Sequence, residues 1–219
     1  MIMNIIRTTT LWMHPALDRF DYFMSLDTDI YFEKKMPFDP FAAMQARRVA
    51  YAYHECGFES GGDCLEGLGH AVWDYAARRN MSTRLNGKDI HSLYAGNFGM
   101  GEVAFFRSAQ YQAFVSHLQH QRGYFARRWA DQSIWPLALA LFAPTRVEHW
   151  RTLYEDRVLV HRSASLGRRF SVAGDDWKHS PTEGCWYRHQ LEATPVIGTA
   201  ACKCRQPSEH QRTVELRST

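Results

Sequence analysis

The sequence predicts an α/β or α+β fold. Short apolar runs of strand length alternate along the 219 residues with segments of helical periodicity. Hydrophobic residues make up 45% of the chain and aromatic residues 14%, which is enough to fill a core. The chain shows no internal repeat and no low-complexity tract. Its length suits one domain, with or without an appendage.

The first part of the chain is predicted to hold short strands separated by turns. Residues 22–26 and 30–32 have the composition of strands, and they flank the turn Asp27-Thr28-Asp29. The segment Pro37-Phe38-Asp39-Pro40 predicts another turn. The other elements predicted here are a short helix or turn at 14–20, a helix at 41–47 and a strand at 48–54.

Helical patterns are clearer in the second part of the chain. The glycine-rich residues 57–69 predict a loop that leads into a helix at 71–79. Apolar residues in 105–118 recur with the spacing of one helix face. Residues 134–142 are almost wholly apolar and predict a buried helix with Pro136 in its first turn. The remaining expectations are a turn at 85–88, a strand at 93–98 and a disordered tail at 205–219.

Charge and hydropathy exclude some classes of partner. The formal net charge is +3, and the basic residues are scattered rather than clustered, which argues against a nucleic-acid partner. No stretch approaches the roughly 18 apolar residues of a membrane span. The opening MIMNII is shorter than the apolar core of a signal peptide, so the sequence predicts no export signal in this chain.

The five cysteines do not form a recognisable zinc motif. Cys202 and Cys204 are separated by one residue, and the chain has no C-x-x-C pair or matching second cluster. A disulfide that joins one of them to Cys185 is therefore favoured over a metal site. The odd number leaves at least one thiol over.

Two carboxylates, those of Asp27 and Asp29, stand at the end of the first predicted strand. They point the same way if the chain is extended there, because strand side chains alternate. Like charges that close together repel unless a cation lies between them. Mg²⁺ and Mn²⁺ take carboxylate oxygens and leave positions open for phosphate oxygens. The pattern therefore fits a metal–diphosphate site, and the alternative is a solvated turn.

Several blocks in a fixed order carry a more specific resemblance. The chain reads HPALDRFDYFMSLDTDIYF, FDPFAAM, RRVAYAYHE, YAGNFGMGEVAFFRSAQYQAF and GYFARRWADQSIWPLALALF. This order resembles the Golgi α-1,2-mannosyltransferases typified by the fungal glycolipid 2-α-mannosyltransferases, glycosyltransferase family fifteen. The resemblance extends from about residue 7 to residue 149 and is weaker towards the end of the chain.

The resemblance implies a GT-A-type fold with a mixed sheet flanked by helices. It implies retaining transfer of mannose from GDP-mannose to a mannose hydroxyl of a glycan, with Mn²⁺ or Mg²⁺, in the Golgi lumen or at its membrane. Residues 1–204 then correspond to a partial transferase whose N-terminal nucleotide-binding part is missing or shortened and whose membrane anchor is missing. The alternative is an inactive relative that acts as a carbohydrate-binding or scaffold fragment.

Three residues are assigned to the metal through the resemblance. Asp27 aligns with the family's metal-ligating glutamate, and Asp29 aligns with an aspartate that helps set the site or meets the donor. His189, in Trp186-Tyr187-Arg188-His189, is the best match for the family's histidine ligand. The alternative for His189 is an ordinary surface histidine.

A second group of residues is assigned to the sugars. Asp131 lies in Arg128-Trp129-Ala130-Asp131 and is expected to hold an acceptor hydroxyl or act as the base. A helix N-cap is the other interpretation of Asp131, and the two are compatible. Trp129 and Tyr124 offer flat faces for stacking on a sugar, or else belong to the core.

The chain departs from the family where the family's Asn-Phe-Glu becomes Asn97-Phe98-Gly99. That glutamate is the family's proposed nucleophile, so a covalent route lacks its carrier here. A route assisted by the leaving phosphate, a changed donor and lost activity all stay open. Glu102 is the candidate replacement. Arg107 is the candidate counter-charge for the diphosphate, with anchoring of a helix start as its alternative.

Overall fold

The computed structural model describes residues 2–27, 30–32, 36, 38–54, 56–60, 65–82, 85, 87, 89–127, 129–150, 159–161, 177–179 and 186–190. The predicted tail at 205–219 lies outside these ranges, as do four of the five cysteines. Cys56, the remaining cysteine, is in a disulfide. The described part of the chain is a mixed α/β structure, which confirms the predicted fold class.

Most helices are short and lie between strands. The helices are α1 (Ile2–Ile5), which continues as a π-helical turn at Ile6–Thr10, α2 (Pro40–Arg47), α3 (Leu68–Arg78), α4 (Val103–Arg107), α5 (Ala109–His120), α6 (Gly123–Ala126) and α7 (Asp131–Phe142). Single 3₁₀ turns occur at Pro15–Leu17 and Asp89–His91. Of the helices described, none has the length and apolar character needed to cross a membrane.

The strands in the described ranges form three sheets. They are β1 (Tyr22–Leu26), β2 (Ile30–Phe32), β3 (Tyr51–Tyr53), β4 (Cys56–Ser60), β5 (Ser92–Tyr94), β6 (Phe98–Glu102), β7 (Val147–His149), β8 (Leu159–His161), β9 (Trp177–His179) and β10 (Trp186–Gln190). The central sheet has the order β1-β6-β3-β7, and the second has the order β5-β4-β10-β9. Strands β2 and β8 form an antiparallel pair.

The central sheet positions the candidate site. Strand β6 is antiparallel to both β1 and β3, whereas β3 is parallel to β7, so the sheet is mixed. Leu26 lies opposite Phe98, and therefore the end of β1 and the start of β6 meet at one edge of the sheet. Asp27 and Asn97, which adjoin these two residues, are brought together there.

Apolar side chains at alternate positions of the central sheet pack into two separate cores, one on each face. The larger core contains Phe23, Tyr51 and Tyr53 from one face, packed against helices α3, α5 and α7. The smaller core contains Met24, Phe98 and other residues of the opposite face. The period of two along each strand explains this division, because neighbouring side chains point to opposite faces.

Two helices begin where the sequence places a capping residue. The Asp39 carboxylate accepts hydrogen bonds from the amides of Phe41 and Ala42, and Pro40 occupies the first helical position of α2. The Ser108 hydroxyl accepts a hydrogen bond from the Tyr111 amide at the start of α5. The expected single helix at 105–118 is therefore wrong, because Ser108 is extended and separates α4 from α5.

Three other boundaries differ from the sequence-based expectation. Residues 57–60 belong to β4 instead of a loop, because this glycine-rich segment pairs with β5 and β10 on either side. The continuous strand expected at 93–98 is interrupted, because residues 95–97 form a turn between the end of β5 at Tyr94 and the start of β6 at Phe98. Helix α7 begins at Asp131, so Pro136 lies inside the helix and not in its first turn. Dense packing of α7 in the larger core offsets the missing backbone donor.

Candidate functional site

The candidate site lies at the edge of the central sheet where β1 ends and β6 begins. The Asp27 amide donates a hydrogen bond of 2.9 Å to the carbonyl of Asn97, which fixes the position of Asp27 just after β1. The Asp27 side chain is exposed, whereas Asn97 is buried. Within the described part of the chain, the buried Asn97 side-chain oxygen has no hydrogen-bond partner. We call this region the Asp27 edge.

Arg7 connects three elements at the Asp27 edge. Its Nη2 donates to the Ser25 hydroxyl at 3.1 Å and to the Gly96 carbonyl at 3.2 Å. Its Nε lies 2.9 Å from the Asp131 carboxylate oxygen Oδ2, at the start of α7. One guanidinium therefore ties the end of β1, the turn before β6 and the N-terminus of α7 together.

Asp131 is a buried carboxylate with only part of its bonding capacity filled. The residue is 6% exposed, and Oδ2 lacks a hydrogen bond of good angle although Arg7 is close. Burial raises the pKa of Asp131; the Arg7 charge and the amide of Gln132 lower it, and the negative charge of Asp27 raises it. The net result is a pKa above the ordinary value of 3.8, which favours proton transfer.

Gly99 lies next to this edge, opposite Ser25 on β1. A Cβ atom at position 99 would collide with the Tyr51 hydroxyl and would lie 2.8 Å from Tyr51 Cζ. The space that the family's glutamate would need is therefore filled by the Tyr51 side chain from β3. A larger residue at position 99 fits only if Tyr51 moves.

The structure does not bring Glu102 to the Asp27 edge. Glu102 is the last residue of β6 and lies opposite Tyr22, at the other end of the strand. Its carboxylate is 2.6 Å from Arg146 Nη2, and its amide donates to the carbonyl of Ala50. Glu102 is thus occupied by contacts at the far edge of the sheet.

Arg107 is likewise engaged elsewhere. Its guanidinium donates to the carbonyls of Trp12 and His14 and pairs with the Asp18 carboxylate at 2.9 Å. Helix α4, which carries Arg107, follows the Glu102 end of β6. These contacts attach the helix to the segment that follows α1. They fit the alternative interpretation, in which Arg107 is a structural anchor.

Trp129 and Tyr124 are core residues in this structure. Trp129 is 2% exposed and donates from Nε1 to the carbonyl of Glu66, and its ring packs directly against Gly123. Tyr124 is fully buried. Neither ring presents a face to a bound sugar, whereas the adjacent Phe125 is exposed.

The proposed metal ligands are only partly described. Asp29 lies outside the described residues, and His189 is placed by its backbone alone, in β10 opposite Gly57. Among the side chains that the structure describes, no group of three or more histidine, cysteine or acidic residues is arranged to hold a metal. The exposed Asp27 carboxylate is a hard oxygen ligand beside a second negative charge, which fits a divalent cation.

A separate groove of about 560 Å³ lies between α3 and α6. Its charged residues pair with one another: Arg127 with Glu66 at 3.0 Å, and Arg78 with Asp74 at 2.8 Å. Neither Asp27 nor Asp131 lines this groove. It is therefore distinct from the Asp27 edge.

Sequence reasoning missed three residues of the Asp27 edge. Arg7 sits in a polar segment, IRTTT, with no motif to mark it, and Ser25 is one hydroxyl in an apolar strand. In the sequence, Tyr51 is indistinguishable from an ordinary aromatic residue of a buried strand. Their proximity depends on strand pairing and on the path of the first ten residues, which no local pattern records.

Comparisons with known proteins agree with this architecture. O-glycoside alpha-1,2-mannosyltransferase homolog 2 of Schizosaccharomyces pombe is 25% identical over 150 residues, covering 64% of this chain and 40% of that protein. Glycolipid 2-alpha-mannosyltransferase 1 of Candida albicans is 26% identical over 161 residues, covering 68% of this chain and 36% of that protein. The chain thus spans less than half the length of these curated relatives.

Solved structures share the fold. Core-mannan synthase A of Aspergillus fumigatus, in its Mn/GDP form, has a TM-score of 0.64 at 21% identity, covering 74% of this chain and 47% of that one. The mannosyltransferase Ktr4p of Saccharomyces cerevisiae in complex with GDP also has a TM-score of 0.64, at 20% identity, covering 77% of this chain and 49% of that one. These likenesses confirm the expected GT-A-type fold.

A family model described as glycolipid 2-alpha-mannosyltransferase matches residues 2–157 of this chain. The match includes Arg7, Asp27, Tyr51, Gly99 and Asp131, and so it contains every residue of the Asp27 edge discussed above. It covers well over half of the chain, and the expectation from the ordered sequence blocks is thereby confirmed. The protein is a member of the glycolipid 2-alpha-mannosyltransferase family.

Proposed function

We propose that the protein acts as a glycosyltransferase that moves mannose from GDP-mannose to a mannose hydroxyl of a glycan, with an α-1,2 linkage and retained configuration. The observation that carries the proposal is the Asp27 edge, where an exposed carboxylate lies close to a buried one held by Arg7. Family membership supports it. So do the fold neighbours, one of which is described in a Mn/GDP form and another in complex with GDP.

In this proposal, Asp27 would hold Mn²⁺ or Mg²⁺ together with Asp29 and His189. A divalent ion supplies positive charge to the diphosphate when it is bound. Asp27 suits this role because it is exposed at the end of a strand whose position is fixed by the hydrogen bond to Asn97. Asp29 also helps to place the diphosphate.

Asp131 is proposed as the proton acceptor. The hydroxyl proton of the acceptor sugar moves to the Asp131 carboxylate while the acceptor oxygen bonds to the anomeric carbon. The bond from that carbon to the diphosphate oxygen breaks at the same time, and the electron pair leaves with GDP. Arg7 orients Asp131 and balances its charge before the transfer.

Retention follows from attack on the face that the diphosphate leaves. No carboxylate is available at Gly99, and the Tyr51 ring fills that position. We therefore favour front-face attack, in which the departing diphosphate orients the acceptor hydroxyl and Asp131 takes its proton, over a route with a covalent intermediate. The proposed site omits Glu102, Arg107, Trp129 and Tyr124, which make other contacts. A Golgi site of action rests on the resemblance alone.

The test is calorimetric binding of GDP and GDP-mannose, with and without Mn²⁺. We expect Mn²⁺-dependent binding by the wild type and its loss in Asp27→Ala. Asp21→Ala is the matched control, because Asp21 is also exposed but lies at the other end of β1. Unchanged binding by Asp27→Ala would remove Asp27 from the site. A folded wild type that binds neither nucleotide would favour the alternative of a carbohydrate-binding or scaffold fragment.

A further inference from the structure

Tyr51 places its hydroxyl group beside the Asp27 edge. Tyr51 and Gly99 lie on neighbouring strands, and the ring leans across β6 until its hydroxyl reaches the space that a Cβ at position 99 would occupy. Gly99 lies opposite Ser25, which accepts a hydrogen bond from Arg7. The hydroxyl therefore lies on the same face of the sheet as the Ser25 side chain that Arg7 contacts.

The position of this hydroxyl is fixed by packing. Tyr51 is 1% exposed, and its ring stacks on Tyr94 with a centroid distance of 5.6 Å. Trp135 and Phe106 meet the ring edge-on at 5.6 Å and 6.2 Å. Three aromatic neighbours therefore hold the ring in place, and its hydroxyl is displaced only when the whole side chain shifts.

The hydroxyl shares its electrostatic surroundings with the proposed catalytic pair. Burial raises the pKa of Tyr51 strongly; the Asp131 charge raises it further, and Arg7 lowers it. The group therefore stays protonated at all ordinary pH values and can donate a hydrogen bond. Within the described part of the chain, the Tyr51 hydroxyl makes no hydrogen bond, and it is not among the polar atoms that are both sealed from solvent and unpaired.

A hydroxyl at the border of the core that has no protein acceptor can donate its hydrogen bond to a ligand or to water. We propose that the Tyr51 hydroxyl is a sugar-binding group, which donates a hydrogen bond to a mannosyl oxygen bound at the Asp27 edge. It occupies the place of a side chain at position 99 and makes glycine necessary there. This inference rests on the proposed function, since it assumes a sugar at this edge.

The test compares affinities with and without the sugar. Calorimetry with Mn²⁺ measures binding of GDP, of GDP-mannose and, in the presence of GDP, of methyl α-mannoside. We expect Tyr51→Phe to lower the affinity for GDP-mannose or for the mannoside by about threefold to tenfold, the effect of one lost hydrogen bond. The affinity for GDP should not change. The ligand whose affinity falls identifies whether Tyr51 bonds to the donor sugar or to the acceptor sugar.

Tyr53→Phe is the matched control. Tyr53 lies two residues away on the same strand face and also stacks on Tyr94, at 4.5 Å, but its pKa is raised by burial without a contribution from Asp131. We expect all its affinities to equal those of the wild type. Thermal melting verifies that each variant is folded.

Gly99→Ala provides a second route to the same result. The added methyl group displaces the Tyr51 hydroxyl without removing it, so the sugar affinity should fall as in Tyr51→Phe. Gly87→Ala, where nothing lies within 4 Å, is its control. Unchanged sugar affinities in folded Tyr51→Phe, with GDP bound normally, would overturn the role of Tyr51 alone. Absence of any GDP binding by the wild type would overturn the proposed function as well.

Discussion

Single residues at the Asp27 edge are held by charge as much as by packing. Arg7 reaches Asp131, Ser25 and the Gly96 carbonyl, so one side chain satisfies groups from three elements. Asp131 keeps an oxygen without a well-aligned donor although it is buried. A buried carboxylate of this kind stabilises the fold less than a well-packed apolar residue would, which agrees with the proposed role of Asp131.

Asp131→Asn tests whether burial raises the pKa of Asp131, through the pH dependence of the free energy of unfolding. Because the native pKa of Asp131 is raised, the native state binds the proton more tightly than the unfolded chain. Stability from this group is present below pH 3.8 and is lost as the pH rises towards the raised native pKa. We expect the asparagine variant to gain stability relative to the wild type across that window and to keep a constant difference above it.

Urea unfolding at a series of pH values measures this difference. Gln45→Ala is the control, since it changes an exposed side chain that carries no titratable group. Its difference from the wild type should not vary with pH. Parallel curves for the wild type and Asp131→Asn would show that burial does not raise the pKa of Asp131.

At the scale of elements, strand pairing and helix capping decide where the site residues lie. The register of β1 on β6 sets Asp27 beside Asn97, and a shift of one residue would turn Ser25 to the opposite face. Helix α2 has its own local start signal, in which the Asp39 carboxylate caps two amides at 2.9 and 3.2 Å. That helix packs Met44 into the smaller core, behind the strands that carry the site.

Asp39→Ala tests the contribution of this cap. Removing the carboxylate leaves two amides of α2 without their acceptor, and we expect a loss of about 1 kcal/mol in the free energy of unfolding. Chemical denaturation of the purified chain measures it. Gln45→Ala, at an exposed position of the same helix, should change stability by less than about 0.5 kcal/mol. Equal effects of the two substitutions would contradict the capping role.

At the scale of the whole molecule, aromatic packing joins the first residues, the central sheet and helix α7. Phe106 is fully buried and contacts the rings of Trp12, Phe23, Tyr51 and Trp135. Trp12 follows the segment that carries Arg7, Tyr51 lies on β3, and Trp135 lies on α7. The cluster therefore holds together the elements that form the Asp27 edge.

Phe106→Ala should be severely destabilising. We expect a loss of about 3–5 kcal/mol, from the transfer of the ring and the cavity left behind, measured by urea unfolding. Phe125→Ala is the matched aromatic control, because Phe125 is 58% exposed and should contribute less than about 0.5 kcal/mol. A small loss for Phe106→Ala would mean that the cluster relaxes around the gap.

Local patterns predicted much of the fold and part of the site. The strands at 22–26 and 30–32, the helix that follows Asp39 and the apolar character of α7 all follow from composition and spacing. Asp27 and Asp131 were predicted through the ordered sequence blocks, and the structure brings these two residues to one edge. The predicted roles of Glu102, Arg107, Trp129 and Tyr124 came from the resemblance and from the chemistry of the side chains, and their contacts are made elsewhere.

The sequence by itself determined the fold class, the family and the carboxylate that follows β1, because these depend on periodicity and on motifs in a fixed order. Only the tertiary structure decided that Arg7 pairs with Asp131 and that Tyr51 fills the space at Gly99. Both contacts join residues far apart in the chain. They arise from the pairing of β1, β3 and β6 and from close packing above the sheet, which no local sequence pattern encodes.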